Sequence, residues 1–312
     1  MSVIATITLN PALDIAAAAP EVKPTIKVRC GVPTVQAGGG GINVARVAER
    51  FGASARPILL TGGASGDRLV ALLKAEGLTP VNVPIAGETR ESFTVNEAAT
   101  HEQYRFVLPG PTVDGAEAEA VLVALKALDP LPEIVVFSGS HPPGLPASFA
   151  ADLASATAAV GARFIVDGPA AILEHTHSAD LVKPNERELS DLVGRPLGTT
   201  EAIFGAAREI IAGDMTDAVL VSMGEAGALL VTEAGATHYS VPKLELVSAV
   251  GAGDSMVGAL SAALASGKDL VEAAAIGAAA GSAAIMTPGT DLCRPEDAER
   301  LLPSIETSPY IP

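Results

Sequence analysis

The stretch Val250-Gly251-Ala252-Gly253-Asp254-Ser255-Met256-Val257-Gly258 places an acidic residue between a glycine-rich turn and an apolar, alanine-rich segment. Glycines at 251 and 253 permit a tight turn whose N–H groups point into one concavity. A helix predicted to begin near Asp254 adds the positive end of its dipole to the same place. The stretch therefore predicts an anion site with a carboxylate at its rim, which suits phosphoryl transfer. The alternative is an ordinary acidic N-cap.

The composition favours a large α/β core, because 48% of the 312 residues are hydrophobic and none is Trp. Small aliphatic side chains suit helices packed on a buried parallel sheet. The net charge of −16, without a run of Lys or Arg, argues against nucleic acid or a membrane surface as partner. The isolated Cys30 and Cys293 predict reduced thiols in a cytoplasmic protein. The alanine-rich segment 273–286 is predicted to be a buried helix, since it is too short for a membrane span.

Apolar runs alternate with helical patterns along most of the chain, in a βα rhythm. The predicted strands are 57–61, 134–138, 164–167, 181–183, 218–222 and 228–232. The predicted helices are 42–51, 67–75, 117–128, 149–160, 186–193 and 201–212. Most of the strands are continuously apolar, as parallel strands buried on both faces are. The pattern predicts an α/β fold, namely a three-layer αβα sandwich with a mostly parallel central sheet.

Two segments, 12–37 and 88–108, interrupt this rhythm and alternate polar with apolar residues. They predict short strands that combine into one small antiparallel β-sheet. Such a sheet would form a lid over the carboxyl ends of the parallel strands. Because neither a repeat nor a second core is visible, residues 1–312 are interpreted as a single domain carrying this lid.

Several basic residues fall on the predicted lid, although the whole chain has only 20 Lys and Arg. Arg90 begins one lid strand, Arg105 ends another, and Lys27 and Arg29 flank a third. A phosphorylated substrate needs such cations, whereas solvated charges at strand edges are the alternative.

Four glycines, Gly38 to Gly41, precede a predicted helix whose first turn holds Asn43. The turn lets a polyhydroxylated ligand approach the backbone, and the Asn43 amide can donate to and accept from its hydroxyls. The alternative is a flexible turn with an Asn cap. Asp14, which follows a strand predicted at residues 1–9, is able to accept two further hydroxyl hydrogen bonds, although alone it is an ordinary loop aspartate. Neither a P-loop nor a complete Gly-x-Gly-x-x-Gly occurs, so the phosphate-binding motifs of P-loop and Rossmann proteins are excluded.

The segment Lys183-Pro184-Asn185-Glu186-Arg187-Glu188 ends a buried strand and opens a helix. Asn185 and Glu188 share a face of the first turn, where they either organise a hydrated Mg²⁺ or form a capping box. The turn from Ser222 to Gly227 joins two predicted strands. It suits a nucleotide resting on it, but a plain hairpin is equally consistent.

Together these motifs resemble the PfkB family of sugar kinases, in the ribokinase-like superfamily, over essentially the whole chain. The resemblance rests on the segments Gly38–Arg46, Ser138–Gly144, Lys183–Glu188 and Val250–Gly258. It implies an ATP- and Mg²⁺-dependent kinase. Segments 27–30 and 102–110 are similar to the branch that phosphorylates the 1-hydroxyl of fructose 6-phosphate. The alternatives are a kinase for tagatose 6-phosphate or fructose 1-phosphate, and a non-catalytic regulator that binds a sugar phosphate.

The resemblance also implies a role for each site residue. Asp254 would be the catalytic base, with an anion hole from the amides of Gly251, Ala252 and Gly253. The sugar phosphate, a phosphorylated ketohexose, would contact Asp14, Gly39, Asn43, Arg90 and Ser138, with Lys27 and Arg29 near phosphate in a homodimer formed through the lids. The nucleotide would contact Lys183, Asn185, Glu188, Ser222, Gly224, Gly227 and Ser282, with Asn185 and Glu188 governing Mg²⁺ through water. A potassium site would involve Ser248, Val250, Ala284 and Gly289.

The chain departs from the family pattern at a few positions. Thr287 and Asp291 stand where Asn and Arg are usual in the potassium loop. His141 replaces an apolar residue, and Gly168 stands where the family has a small polar one. Potassium activation is the implication that the departures at Thr287 and Asp291 weaken.

Overall fold

The computed structural model describes residues 2–146, 148–287 and 291–312. Its strands are β1 (Val3–Thr8), β2 (Ala12–Ala19), β3 (Thr34–Gly38), β4 (Ser54–Thr61), β5 (Val81–Pro84), β6 (Arg90–Glu97), β7 (Gln103–Val107), β8 (Ile134–Ser138), β9 (Arg163–Asp167), β10 (Leu181–Val182), β11 (Ala218–Ser222), β12 (Ala228–Thr232), β13 (Gly235–Ser240) and β14 (Glu306–Tyr310). Its helices are α1 (Gly40–Arg50), α2 (Gly63–Ala75), α3 (Gly115–Lys126), α4 (Phe149–Ala159), α5 (Ala170–Leu173), α6 (Glu186–Val193), α7 (Thr200–Ala212), α8 (Ala252–Ala265), α9 (Leu270–Ala284) and α10 (Pro295–Leu301). Short 3₁₀ turns occupy Gly224–Ala226 and Leu302–Ser304.

The central sheet of the described residues has ten strands in the order β14-β13-β12-β11-β10-β9-β8-β1-β4-β5. Pairing is parallel from β5 through to β11. It is antiparallel from β11 to β14 at the other edge. The expected mostly parallel sheet is therefore confirmed. The apolar runs did not reveal β13 and β14 at one end of the sheet or β5 at the other.

Each face of this sheet is covered by its own hydrophobic core. Along β1, Ile4 packs into a core shared with α1, α8 and α9. The neighbouring Ala5 and Ile7 pack into a second core with α3, α4 and α7 on the other face. Because successive side chains of a strand point to opposite faces, a continuously apolar strand requires both layers. The expected three-layer αβα sandwich is confirmed.

Helices α8 and α9 pack closely at glycine positions, deep in one of these layers. A methyl group at Gly258 would lie 2.6 Å from Cβ of Val47 on α1, and one at Gly277 would lie 2.9 Å from the carbonyl oxygen of Met256. Every residue of 255–264 on α8 is buried. On α9, residues 277–284 are also all buried, so the alanine-rich segment is a core helix, as predicted. Among the described residues no helix combines the length and apolarity that crossing a bilayer requires.

The two interrupting segments form a separate four-stranded sheet in the order β3-β2-β6-β7. The strands β2 and β3, and likewise β6 and β7, pair antiparallel. The two hairpins join through β2 and β6, which run parallel with Ala12 opposite Arg90. The sheet is therefore mixed, and the expectation of a purely antiparallel lid is wrong. The reason is that the two segments follow β1 and β5, which run in the same direction in the central sheet with β4 between them, so β2 and β6 also leave in the same direction.

Candidate active site

The glycine turn and the helix after it form one wall of the candidate site. Gly251 is the N-cap of α8 and has a left-handed backbone, with φ of 79°. Its carbonyl accepts a bond from the N–H of Ser255 at 2.8 Å, so α8 begins at Ala252, two residues before the predicted start. Asp254 consequently lies within the first helical turn and is not the N-cap. The capping alternative is therefore wrong, and the carboxylate is available to the cleft beside it.

Asp254 is partly buried and lies near the amide of Asn43 and the charged groups of Asp167 and Lys183. Its Oδ2 accepts a hydrogen bond of 2.8 Å from Nδ2 of Asn43 on α1. Burial, and then repulsion from Asp167 on β9, raise the pKa of Asp254 to about 7, against the opposing effects of Asn43 and Lys183. A carboxyl group with a pKa near neutral is suited to take a proton from a substrate.

Lys183 lies under the glycine turn, at the end of β10. Only 3% of the residue is exposed, and its Nζ forms an ion pair of 3.0 Å with Asp167. Burial disfavours the charged ammonium, but attraction to Asp167, Glu188 and Asp254 outweighs burial and leaves the pKa of Lys183 raised. A methyl group added at Gly253 would lie 3.3 Å from this Nζ, so the cation supports the anion turn directly.

A cleft of about 470 Å³ opens between the small sheet and the starts of α1 and α8. It brings together five of the predicted sugar and catalytic residues: Asp14, Gly39, Asn43, Arg90 and Asp254. Arg46, Arg105, Gln36 and Asp291 also line it. The cleft therefore holds three arginines and three aspartates, in a chain whose net charge is −16. Such a mixture fits a ligand that carries both phosphate and hydroxyl groups.

The carboxylate of Asp14 lies at the junction between the small sheet and α1. It packs directly on Gly38, where a Cβ would collide with Oδ2 of Asp14. Burial raises the pKa of Asp14, while Arg90, Arg105 and Arg46 act to lower it. Arg90 reaches the neighbouring backbone and donates to the carbonyl oxygen of Asn10 at 3.0 Å.

Three residues predicted to contact sugar or phosphate do not line this cleft. Ser138 is buried at the end of β8, where its Oγ donates to Oδ2 of Asp167 at 3.4 Å. Its Oγ also lies against Gly40 at the start of α1. Lys27 and Arg29 are exposed in a segment between β2 and β3 that forms no strand. The expectation that they flank a lid strand is wrong, because β3 begins only at Thr34.

Asn185 and Glu188 form a complete capping box at the start of α6. The N–H of Glu188 donates to Oδ1 of Asn185 at 2.9 Å, and the N–H of Asn185 donates to Oε2 of Glu188 at 2.8 Å. Burial raises the pKa of Glu188, against the Asn185 bond and the Lys183 charge. The structural alternative is thus realised. It leaves room for magnesium only through intervening water, which is how Mg²⁺ usually binds.

The remaining nucleotide residues lie at the same end of the sheet. Ser222 ends β11 and forms an isolated parallel β-bridge with Asn185. The N–H of Ser222 donates to the carbonyl of Pro184 at 3.1 Å. Gly224 begins a 3₁₀ turn, and Gly227 follows its end with a positive φ of 89°. A Cβ at Gly227 would collide with the carbonyl oxygen of Tyr239. The turn joins antiparallel strands, so it is also a hairpin.

Ser282 is buried on α9, near the start of α8. A methyl group at the preceding Gly281 would lie 3.2 Å from the carbonyl oxygen of Ala252. The end of α9 therefore packs against the anion turn.

The predicted potassium residues lie around the end of α9. The carbonyl of Ile285 accepts bonds from Val247 and Ser248, and the N–H of Val250 donates to Oγ of Ser248. Oγ1 of Thr287 lies 2.7 Å from the carbonyl oxygen of Ala284 and 2.6 Å from that of Asp291, so its single hydrogen is shared between the two carbonyls. These contacts bring Ser248, Val250 and Ala284 to the same end of α9, whereas Gly289 lies outside the described residues. The Thr287 hydroxyl already bonds the Ala284 carbonyl that potassium would use.

Two residues at the site were missed as functional candidates in the sequence. Asp167 pairs with Lys183 and repels Asp254. Its position at the carboxyl end of a buried parallel strand was a usable signal, because ligands of α/β sheets bind there. Arg46 lines the cleft and donates to Oδ1 of Asn43 at 3.0 Å. Arg46 also pairs with Glu76 at the end of α2, and no local sequence pattern indicates this contact between separate helices.

Comparison with known proteins agrees with this architecture. Residues 7–297 match the pfkB family of carbohydrate kinases. The chain is 42% identical over 298 residues to the ATP-dependent 6-phosphofructokinase isozyme 2 of Mycobacterium tuberculosis H37Rv, covering 95% of this chain and 88% of that protein. It is 40% identical over 301 residues to the protein of the same name from Escherichia coli K12, covering 96% of this chain and 97% of that one.

The solved structures show the same fold. The crystal structure of phosphofructokinase-2 from E. coli with fructose-6-phosphate matches with a TM-score of 0.90 at 38% identity, covering 98% of this chain and 99% of that one. The E. coli protein has also been solved with potassium and in a tetrameric inhibited form. Fold and cleft together define a carbohydrate kinase of the ribokinase-like type. The chain belongs to the pfkB family, which confirms the resemblance seen in its motifs.

Proposed function

We propose that this protein is an ATP-dependent 6-phosphofructokinase, which phosphorylates the 1-hydroxyl of fructose 6-phosphate to give fructose 1,6-bisphosphate and ADP. The observation that carries this proposal is the position of Asp254. Its carboxylate, with a pKa of about 7, lines the cleft directly beside the backbone turn at the start of α8. The names of the two relatives at 42% and 40% identity support the choice of substrate.

In this reaction Asp254 accepts the proton of the 1-hydroxyl as its oxygen attacks the γ-phosphorus of ATP. The new C1–O–P bond forms while the bond from the γ-phosphorus to the bridging oxygen breaks, and ADP leaves with that electron pair. The amides of Gly251, Ala252 and Gly253, at the positive end of the α8 dipole, stabilise charge on the transferred group. The ammonium of Lys183 adds its charge from below.

The sugar phosphate would lie in the cleft between the small sheet and the starts of α1 and α8. Asp14, Gly39 and Asn43 would bind its hydroxyls, because all three line the cleft on the α1 side. Arg90 and Arg105 would bind the 6-phosphate from the small sheet, since a guanidinium matches two phosphate oxygens. Ser138 would act indirectly, through its contact with Gly40.

The nucleotide would lie at the carboxyl ends of β10 and β11, near Lys183, Ser222, Gly224, Gly227 and Ser282. Among the described residues no cluster of three His, Cys, Asp or Glu side chains is placed to hold a metal. The donor set fits a hydrated Mg²⁺ that arrives with ATP and is oriented by Asn185 and Glu188 through water. Magnesium would supply charge neutralisation to the phosphates.

Potassium is the third proposed cofactor, supported by the convergence of Ser248, Val250 and Ala284 at the end of α9. Replacing potassium by tetramethylammonium, which is too large for a carbonyl site, should lower activity. Unchanged activity would remove potassium from the proposal.

We further propose one kinase domain whose small sheet acts as a lid and pairs with a second copy in a cytoplasmic homodimer. The small sheet exposes apolar side chains, with 38% of Phe93, 55% of Phe106 and 61% of Val107 accessible. A homodimer through this sheet would cover them, and Lys27 and Arg29 would then lie near the interface. Sedimentation velocity at micromolar concentration tests this assembly, and a monomer would contradict it.

The decisive experiment compares the wild type with Asp254→Asn. We expect turnover with ATP and fructose 6-phosphate to fall by at least about 10³-fold, with sugar binding retained, because the amide cannot accept the proton. Near-normal turnover would refute the role of Asp254. Kinetic constants for fructose 6-phosphate, tagatose 6-phosphate and fructose 1-phosphate, measured in parallel, test the choice of substrate.

A further inference from the structure

The side-chain amide of Asn43 has a defined orientation, because its two ends contact different charged groups. The NH1 group of Arg46 donates to Oδ1 of Asn43 at 3.0 Å, and Nδ2 of Asn43 donates to Oδ2 of Asp254 at 2.8 Å. A guanidinium has only donors, so the amide atom facing it must be the oxygen. The NH₂ group is therefore left facing the carboxylate.

Arg46 is itself held in place by Glu76, which follows the end of α2. Nε and NH2 of Arg46 donate to the two carboxylate oxygens of Glu76, at 2.6 and 2.9 Å. The Arg46 side chain is 14% exposed, whereas that of Glu76 is 38% exposed. This bidentate geometry fixes the plane of the guanidinium and leaves NH1 for the amide.

We propose that Arg46 is a positioning residue, which sets the orientation of the Asn43 amide so that its NH₂ group faces Asp254. This role rests on the proposed function, because it concerns Asp254 as the base. The far side of Arg46 opens on a second cavity of about 490 Å³, so no packed side chain replaces the guanidinium when it is removed. The amide is then free to turn over and present its oxygen to the carboxylate.

The two amide orientations favour different forms of Asp254. An NH₂ group donates to the ionised carboxylate, whereas an amide oxygen repels it and accepts from the protonated acid. Asp167 from β9 and Lys183 after β10 face the same carboxylate in either case. The other charged groups lining the cleft are Asp14, Arg46, Arg90, Arg105 and Asp291. Arg46 thus increases the fraction of Asp254 that is ready to accept a proton at neutral pH.

The test compares Arg46→Met with Arg46→Lys, which keeps a head group that only donates. The matched control is Arg195→Met, since Arg195 also pairs with a glutamate, Glu209, but does not line the cleft. The first measurement is the pH titration of the Asp254 carboxyl carbon by ¹³C NMR, assigned as the resonance that is absent in Asp254→Asn. The second is the pH profile of kcat and of kcat/KM for fructose 6-phosphate.

We expect the titration midpoint in Arg46→Met to rise by about one pH unit, and kcat at pH 7 to fall about fivefold. The acid limb of the profile should move by the same amount, while kcat at pH 9 recovers. Arg46→Lys and Arg195→Met should titrate like the wild type. An unchanged midpoint in Arg46→Met, or an equal rise in Arg195→Met, overturns the proposal.

If Arg46→Met does not fold, Glu76→Ala takes its place, because it releases the guanidinium while keeping every group around Asp254. An upward shift of the Asp254 titration midpoint supports the proposal, and an unchanged midpoint overturns it. The carboxyl titration needs no substrate. Failure of the positioning role would appear as an unchanged titration midpoint. Failure of the proposed kinase activity would instead appear as absent turnover with a normal titration, so the two failures are distinguishable.

Discussion

The substitution Asp254→Asn should stabilise the folded protein, and the gain should grow with pH. The pKa of Asp254 rises from an ordinary value of 3.8 to about 7 on folding. Between these values the folded chain binds more protons than the unfolded chain, so stability falls as pH rises. The amide carries no charge, keeps an oxygen to accept from Nδ2 of Asn43, and removes this penalty.

The size of the effect follows from the same two pKa values. The difference between 3.8 and about 7, at about 1.4 kcal/mol per pH unit, corresponds to about 4 kcal/mol above pH 7. Because Asp254 is only partly buried, solvent screening makes this an upper limit, and we expect about 2 to 4 kcal/mol.

Urea unfolding of the wild type and Asp254→Asn at pH 5, 6, 7 and 8 measures the difference in the free energy of unfolding. Other titrating groups are common to both proteins and cancel. Asp152→Asn, at an exposed position in the first turn of α4, is the matched control for the same chemical change outside the cleft. A difference for Asp254→Asn that stays flat from pH 5 to 8, or shrinks, would refute the electrostatic description of the site.

Three further substitutions probe the supporting structure. Lys183→Met leaves Asp167 buried without its cation and should lower the free energy of unfolding by about 3 to 5 kcal/mol in urea titrations, and a loss below about 1 kcal/mol would contradict the buried ion pair. Gly38→Ala places a methyl against the Asp14 carboxylate, so KM for the sugar phosphate should rise about tenfold with a smaller change in kcat, and an unchanged KM would exclude Asp14 from sugar binding. Gly227→Ala places a side chain at a φ of 89° and against the Tyr239 carbonyl, so it should lower the free energy of unfolding by about 1 to 3 kcal/mol. Calorimetry measures this as a lower Tm, and a wild-type Tm would show that the turn relaxes freely.

The body of the fold was predictable from the sequence, because buried parallel strands are continuously apolar and separated by amphipathic helices. The strands β8, β11 and β12 have the predicted bounds. The site was partly predictable for a related reason. Residues at the carboxyl ends of parallel strands, and at the helix starts after them, converge on one edge of the sheet.

The pairing of the two lid segments was not predictable in the same way. Alternation of polar and apolar residues indicates a half-exposed strand, but it is identical for parallel and antiparallel neighbours. The parallel pairing of β2 and β6 is set by the positions of residues 9 to 12 and 88 to 90 at the edge of the central sheet, and these residues lie far apart in the chain.

The spacing of Asn185 and Glu188 left its two uses undecided, since a capping box and a hydrated metal site require the same three-residue separation. Likewise, the partner of Arg46 is Glu76, on the segment after a different helix. Contacts that depend on how two helices pack leave no local pattern in either one.

The complete burial of residues 255–264 on α8 limits how the protein can acquire a new substrate. Substitutions there open cavities or overpack a layer joined by glycines, typically at a cost of about 2 to 5 kcal/mol. Exposed positions usually change stability by less than about 0.5 kcal/mol. Directed evolution toward another sugar phosphate should therefore accumulate its successful mutations in β2, β3, β6 and β7, while the helix that carries Asp254 is inherited unchanged.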